Sequence, residues 1–535
     1  MSISINLFMW VVAFLPIIVL LLLMVKFQWG AAEAAPVGLL TSLIVSITLY
    51  KANWELIALE SAKGIWNAFT ILIVIWPAIL IYEVTNEAKA FQVFRKGMQK
   101  LTPNELLQIL AIGWVFVSFL QGITGFGVPI AVGAPLLVGI GVAPIWAVIV
   151  PLLAHAWAGT FGTLAVAWQA LLFQTGFEGT IMANTIALWA TSFIWIINFI
   201  TGLAICWFYG GKAGIKKGFP AVVIISLIHG GGQLIVSQVN QTLCAFVMTC
   251  VALGAVFLIG KSRWYRERWS IEDSKMMERT TSEVEVEEEI AMTMNEAFLP
   301  YYVLTGVTLF VLLVTPLNKF LGSWKLGLPF PATSTGYGIV NPATDLYSPF
   351  SPLTHAGTFL LIAGLVGYWY FCKKGNISKG GGKRIFMRIV EKTAPSTIAI
   401  VGLIIMSRLM SGTGQTVVLA SGTANVLDKA YVLLAPAVGL LGSFMTSSNM
   451  ASNILFGQFQ QTTAEILGVN QMAILGAQTA GGAIGNSIAP GSIILGTTTA
   501  GILGQEGYVL RKTLPIALGV AMICGIILYV ALIVL

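Results

Sequence analysis

The sequence predicts an all-α polytopic membrane protein of about 12–16 transmembrane helices and hairpins, with inverted-topology repeats and helices broken at mid-membrane. Three observations carry this. Of 535 residues, 57% are hydrophobic and 10% charged, with a mean hydropathy of +0.87, against roughly 25% charged in an ordinary soluble domain. Apolar runs recur along the chain at lengths near the ~20 residues a helix needs to cross hydrocarbon. Inside one of them lies Ser118–Pro135, SFLQGITGFGVPIAVGAP, where four glycines and two prolines interrupt the run beside Gln121 and Thr124. A plain membrane helix avoids so many breakers, because each backbone group they free must find a partner without water.

The first run, at 7–25, has no basic n-region and no small-residue cleavage site, and reads as a retained span. Basic clusters follow at Lys26, Arg95/Lys96/Lys100, Lys212/Lys216/Lys217, Lys261–Arg268, Lys373–Lys392 and Arg511/Lys512. Placing all of them in the cytoplasm by the positive-inside rule gives one path. The N-terminus is outside, and N-terminal spans occupy 1–104. A first core at 105–212 holds spans near 105–121, 143–158, 160–174 and 181–209. Connecting spans fill 213–260, and 261–296 is a charged cytoplasmic loop whose acidic run, 283–289, reads as a solvated linker. Region 297–392 holds spans flanking an external loop at 316–356 and then a basic loop. A second core fills 393–512, and 513–535 is a last span.

The net charge of +7 follows from this loop placement and indicates no nucleic-acid partner; the partner is the lipid bilayer. The five cysteines form no CxxC pair, and with three histidines they suggest neither a disulfide frame, a metal site nor a cofactor. The stretch GGGKR at 380–384 lacks phosphate-loop spacing, and no catalytic constellation marks an intramembrane enzyme.

An internal repeat is visible. Ser118-Phe119 recurs as Ser443-Phe444, Gly141-Val142 as Gly468-Val469, and AGTFG at 158–162 as GGAIG at 481–485. By the span count the two copies enter from opposite sides, a recurring design of secondary transporters.

Polar residues concentrate at the second centre. Thr446–Gln461 carries Ser448, Asn449, Ser452 and Asn453; Ala477–Ser492 carries Gln478 and Asn486. Neutral donors and acceptors bind a small polar solute without burying a permanent charge. For Ser452 and the nearby glycines, close helix packing explains the same composition; the larger amides of Asn449, Asn453, Gln478 and Asn486 favour a binding role. Intramembrane ionisable residues are functional suspects by default. Arg408 follows an apolar run, and its fork suits a carboxylate; the alternative is an arginine snorkelling at a helix end. His155 is a proton-coupling candidate, since histidine titrates near neutral pH. His229, Glu33 and Glu83 read as helix-end or interfacial groups, and His355 belongs to the external loop.

Three stretches carry a family resemblance: SFLQGITGFGVPIAVGAPLLVGIG at 118–141, GSFMTSSNMASNILFGQFQQ at 442–461 and AGGAIGNSIAPGSI at 480–493. Together they resemble the lactate permease family of bacterial membrane transporters. Thr124-Gly125-Phe126-Gly127 and Ser452-Asn453 match that family's pattern. The resemblance implies uptake of lactate or a related 2-hydroxy monocarboxylate such as glycolate, with a proton, across the bacterial plasma membrane. The expected site sets Gln121, Gly122, Thr124, Gly125, Phe126 and Gly127 opposite Ser448, Asn449, Ser452 and Asn453. Gln478 and Asn486 lie nearby, Arg408 attracts the anion and His155 carries the proton. The alternative within transport is a sodium-coupled carrier of a di- or tricarboxylate, which would want more than one buried cation.

Overall fold

Helices fill almost all of the computed structural model, which describes residues 6–27, 29–125, 127–278 and 291–534. Phe126 and the acidic run at 283–289 lie outside the described residues. The first half contains α1 (Leu7–Leu21), α2 (Ala31–Thr48), α3 (Trp54–Glu87), α4 (Ala90–Gln99) and α5 (Glu105–Leu110), which a π-helical turn joins to α6 (Val117–Ile123). Then come α7 (Val128–Val138), α8 (Pro144–Ala154), a 3-10 turn (Ala156–Ala158), α9 (Gly162–Thr175) and α10 (Met182–Ser226). A π-turn leads to α11 (Gln233–Ser237), followed by α12 (Cys244–Lys261), α13 (Met294–Ala297), α14 (Leu299–Leu313) and α15 (Thr315–Gly322). In the loop after α15, β1 (Leu326–Phe330) and β2 (Thr333–Ser334) precede β3 (Val340–Asn341) and β4 (Thr344–Phe350), with β1 on β4 and β2 on β3, both antiparallel. The second half contains α16 (Ala356–Lys373), α17 (Gly381–Gly412), α18 (Gln415–Leu427), α19 (Tyr431–Thr446), α20 (Asn449–Ile466) and α21 (Gln471–Gly485). A 3-10 turn (Asn486–Ile488), α22 (Pro490–Thr499) and α23 (Glu506–Tyr529) complete it.

Among the described residues, 10 helices are long and apolar enough to cross a membrane, or up to 12 if each bent pair is one span. The expected count of 12–16 included hairpins, and hairpins account for the difference. The run expected to cross at 105–121 turns back instead. After Ile123 the chain reverses through Gly127, whose φ of +82° suits glycine, and α7 returns antiparallel. Gly133 faces Val117, and Gly113 faces Leu137. Both ends of this hairpin lie on one side, since the charged loop after α12 binds each: Glu105 N donates to Trp269 O at 3.1 Å and Glu278 N to Gly141 O at 2.8 Å. In the second half α19 and α20 form a like hairpin, turning at Ser447 with φ +53° and tied by Gln460 Nε2 to Ala435 O at 2.8 Å. Length alone could not reveal the reversal, because Glu105–Ile123 is itself 19 residues long.

The predicted split between 181–209 and 220–236 appears as a sharp turn inside α10 at Gly210–Gly211. Gly214 packs beside Cys206 and Gly202 beside Val222, so the two arms lie antiparallel.

The element starts repeat. Ala31 and Ala356, Trp54 and Gly381, Ala90 and Gln415, Glu105 and Tyr431 begin matching helices, as do Pro144 and Gln471, Gly162 and Pro490, Met182 and Glu506. Within each pair the separation stays between 324 and 328 residues; the hairpin return helices, Val128 and Asn449, differ by 321. The 3-10 turns at Ala156–Ala158 and Asn486–Ile488 correspond in this order, so AGTFG, which follows its turn, and GGAIG, which precedes its own, are not structurally equivalent. That pairing rested on composition shared by two glycine-rich breaks.

At the centre, α3 and α17 cross antiparallel. Gly64 meets Ile405, and Trp76 Nε1 donates to Thr397 Oγ1 at 3.2 Å. Ion pairs close both ends. At one end Arg408 binds Glu60 at 2.5 Å, and Lys63 binds the same carboxylate at 2.8 Å, with Glu60 fully buried. At the other Lys392 binds Glu83 at 2.5 Å, Arg384 binds Glu87 at 2.5 Å and Arg388 binds Glu87 at 2.8 Å. Glu83 is thus a fully buried structural anion, not an interfacial one.

Two measurements check this arrangement. In a membrane-sealed preparation, Ile140→Cys will react with an impermeant thiol reagent from the cytoplasmic face and Val469→Cys from the outside; the opposite pattern contradicts the hairpins. Glu60→Leu leaves Lys63 and Arg408 buried without their anion and will cost about 3–5 kcal/mol, read as a lowered thermal midpoint of the purified protein.

Candidate functional site

Between the two halves lies a cavity of about 370 Å³, lined from the first half by Gln121, Gly125, Gly127, His155 and Thr163 and from the second by Thr446, Ser447, Ser448, Asn449, Asn486 and Ser492. The helix breaks build it. Each half sends in a hairpin tip and a helix interrupted by a 3-10 turn, and the four interruptions meet there.

Local geometry explains why the chain stops being helical at these points. Thr124 ends α6 with φ −130° and ψ +89°, and the freed amide of Gly125 donates to Thr163 Oγ1 at 2.7 Å. Thr163 can reach it because α9 opens with a left-handed turn: Thr163, Leu164 and Ala165 have φ of 51°, 49° and 66°. For L-residues such a turn costs roughly 1–2 kcal/mol per residue. Strain of this kind persists where the surroundings over-determine it. In the second half, Ser447 turns left-handed, and its Oγ accepts from Gly491 N at 3.2 Å.

The imidazole of His155 caps the end of α8. Its Nδ1 lies 2.8 Å from Pro151 O, and its Nε2 lies 3.2 Å from Asn486 Nδ2. Asn486 Oδ1 in turn accepts from Ser492 Oγ at 2.9 Å. Among the described residues lining the cavity, no Asp, Glu, Lys or Arg occurs, and His155 is the one ionisable side chain.

Of the residues the sequence singled out, the structure brings Gln121, Gly125, Gly127, His155, Ser448, Asn449 and Asn486 to the cavity wall. Gln121 makes no hydrogen bond to a described side chain and presents its amide there. The others lie behind the wall. Gly122 packs against Thr249 and Phe246 of α12. Thr124 Oγ1 bonds Leu120 O at 3.2 Å. Ser452 Oγ donates to Gly439 O at 2.8 Å, Asn453 Nδ2 to Ala167 O at 2.9 Å, and Gln478 Nε2 to Ser452 Oγ at 3.1 Å. Phe126 is outside the described residues.

Arg408 does not face the cavity. Its guanidinium is held by Glu60 and lies 5.8 Å from the ring of Tyr347 in β4. His229 is no helix-end residue: it is fully buried in the π-turn after α10, stacked on Trp157 with ring centroids 4.4 Å apart.

Sequence reasoning missed Thr160, Thr163, Thr479 and Ser492. Thr160 Oγ1 meets Thr479 O at 3.1 Å across the two halves, and Asn449 Nδ2 bonds both Thr160 Oγ1 and Thr479 O at 3.1 Å. The available signal was a threonine inside each small-residue run, AGTFGT and AQTAGG. Also missed were Glu60 and Lys63, whose three-residue spacing puts both on one face of α3.

Thr163→Val removes the acceptor of the Gly125 amide and leaves a buried donor unpaired, a loss of about 1–3 kcal/mol. Uptake will fall at least about tenfold with normal membrane insertion, while Thr163→Ser, which keeps the hydroxyl, will retain most of it.

The family described as L-lactate permease matches residues 9–535. The L-lactate permease of Halalkalibacterium halodurans is 25% identical over 97% of this chain and 96% of its own. The L-lactate permease and the glycolate permease GlcA of Escherichia coli are each 25% identical over 96% of this chain and 94% of their own. Among solved structures, the Alcanivorax borkumensis YdaH transporter aligns over 86% of this chain and 85% of that one, with a TM-score of 0.45 and 15% identity. Helices built to cross a membrane, broken where they meet around a cavity, and a match over nearly the whole length place this chain in the L-lactate permease family.

Proposed function

We propose that this protein takes up lactate or a related small 2-hydroxy monocarboxylate, such as glycolate, by proton symport. The observation that carries the reading is the cavity wall: neutral amides and hydroxyls set among apolar side chains, with His155 as the one ionisable group among the described lining residues. Such a wall suits one carboxylate that arrives with one proton, and related permeases bear the names of lactate and glycolate. A di- or tricarboxylate would want buried cations, and Arg408 is already occupied by Glu60.

Proton and anion together make the loaded carrier neutral. Moving an uncompensated charge against ~100 mV costs ~2.3 kcal/mol; co-transport with a proton removes that cost. Gln121, Ser447 and Ser448 would hold the carboxylate, with His155 and Asn486 at the opposite break.

The matched element starts and the antiparallel α3–α17 contact support two inverted-topology repeats. In this reading the cavity faces inward: it reaches Gly30–Ala32, just after the cytoplasmic Lys26. The outer side is closed by Ser407 Oγ on Gln174 Oε1 at 3.1 Å and on Ile454 O at 2.9 Å, and by Gln461 Nε2 on Thr175 O at 3.1 Å.

In proteoliposomes, adding lactate will alkalinise the outer medium, an imposed inward proton gradient will drive labelled lactate uptake, and glycolate will compete where succinate does not. His155→Gln will abolish the lactate-induced alkalinisation. Uptake that ignores an imposed pH gradient contradicts the symport reading.

A further inference from the structure

We infer that His155, Asn486 and Ser492 form a relay that turns protonation of the histidine into a hydrogen-bond donor for the substrate carboxylate. This deepens the proton-symport reading and rests on it. The three side chains form one unbranched chain. Pro151 O can only accept, so at 2.8 Å it fixes the hydrogen of neutral His155 on Nδ1 and leaves Nε2 an acceptor. Asn486 Nδ2 then donates to Nε2 at 3.2 Å, which turns Asn486 Oδ1 toward Ser492, whose hydroxyl donates to it at 2.9 Å. In this state the hydroxyl hydrogen is engaged, and Ser492 offers the cavity lone pairs, which repel an anion.

Adding a proton to Nε2 sets N–H against N–H. Rotating the Asn486 amide by half a turn restores both contacts: Oδ1 accepts from Nε2–H, and Nδ2 donates to Ser492 Oγ. The serine hydrogen is thereby released into the cavity. The proton comes from the aqueous side of the cavity and stays on Nε2 during translocation. No covalent bond other than that new N–H is formed or broken. All three residues line the cavity, so the released donor points where the substrate sits.

The surroundings leave the relay undisturbed by other charges. Facing His155 across the cavity are Gln121 from α6, Thr163 from α9, Ser396 from α17 and Asn449 from α20, none of which titrates. The linkage is reciprocal: a bound carboxylate that takes up the serine hydrogen favours protonated His155. The relay also bridges the halves, since His155 precedes the first 3-10 turn and Asn486 opens the second. Loading it therefore changes the bond between the two parts that must move.

The test is the pH dependence of lactate KM in proteoliposomes of wild type, Ser492→Ala and Ser492→Thr, over about pH 6 to pH 8. In the wild type, KM will fall about tenfold or more toward the acid end, the worth of one hydrogen bond to a charged group. Ser492→Ala will flatten that profile, its deficit greatest at the acid end, and Ser492→Thr, which keeps the hydroxyl, will restore the slope. A Ser492→Ala variant with the wild-type slope overturns the relay and leaves symport standing; a wild type with no slope overturns both. Ser492→Ala replaces a small wall residue by a smaller one, so the variant folds.

Discussion

A helix that breaks inside a bilayer frees backbone N–H and C=O groups that water cannot satisfy. Everything unusual in this protein follows from meeting that demand. The Gly125 amide is met by Thr163 and the Gly491 amide by Ser447, while Asn453, Gln460 and Ser452 bond the carbonyls of Ala167, Ala435 and Gly439 inside neighbouring helices. Of these bonds, the one from Asn453 to Ala167 crosses between the halves. Each half therefore satisfies its own freed amides, and Asn453 ties the second half to the first. A cavity with small polar groups set among apolar side chains is what remains where the satisfied ends meet.

This explains how much of the site was legible. Composition and run length disclosed the membrane class, and the glycine- and proline-rich stretch at 118–135 disclosed the first break. The same physics misdirected the finer reading. Asn453, Gln478 and Ser452 are polar and buried in hydrocarbon, which marks them as costly, but the cost is met by backbone carbonyls and neighbouring amides. Sequence alone cannot separate a side chain that serves the backbone from one that serves a substrate, because both require a neutral donor at bilayer depth. Arg408 poses the converse problem. Its partner Glu60 is remote in sequence, and nothing local to either residue announces the pair.

The hairpins were hidden for a related reason. Glu105–Ile123 has the length and hydropathy of a full crossing, and what turns it back is the chain's reversal at Gly127 together with anchoring of both ends by the loop after α12.

The ion pairs that close the α3–α17 crossing are sorted by chain. Glu60, Glu83 and Glu87 all belong to α3; Arg384, Arg388, Lys392 and Arg408 all belong to α17. Backbones so closely matched invite a wrong assembly, in which α3 of one copy packs on α3 of another. In the same antiparallel register that pairing sets Glu83 and Glu87 of one copy against the Glu60–Lys63 pair of the other, without the α17 cations that meet them here, and α17 on α17 sets base against base. Like charges buried opposite one another are a strong device against a wrong partner. The charges thus act as an address: they let two nearly equivalent halves recognise each other within one chain and refuse their own kind.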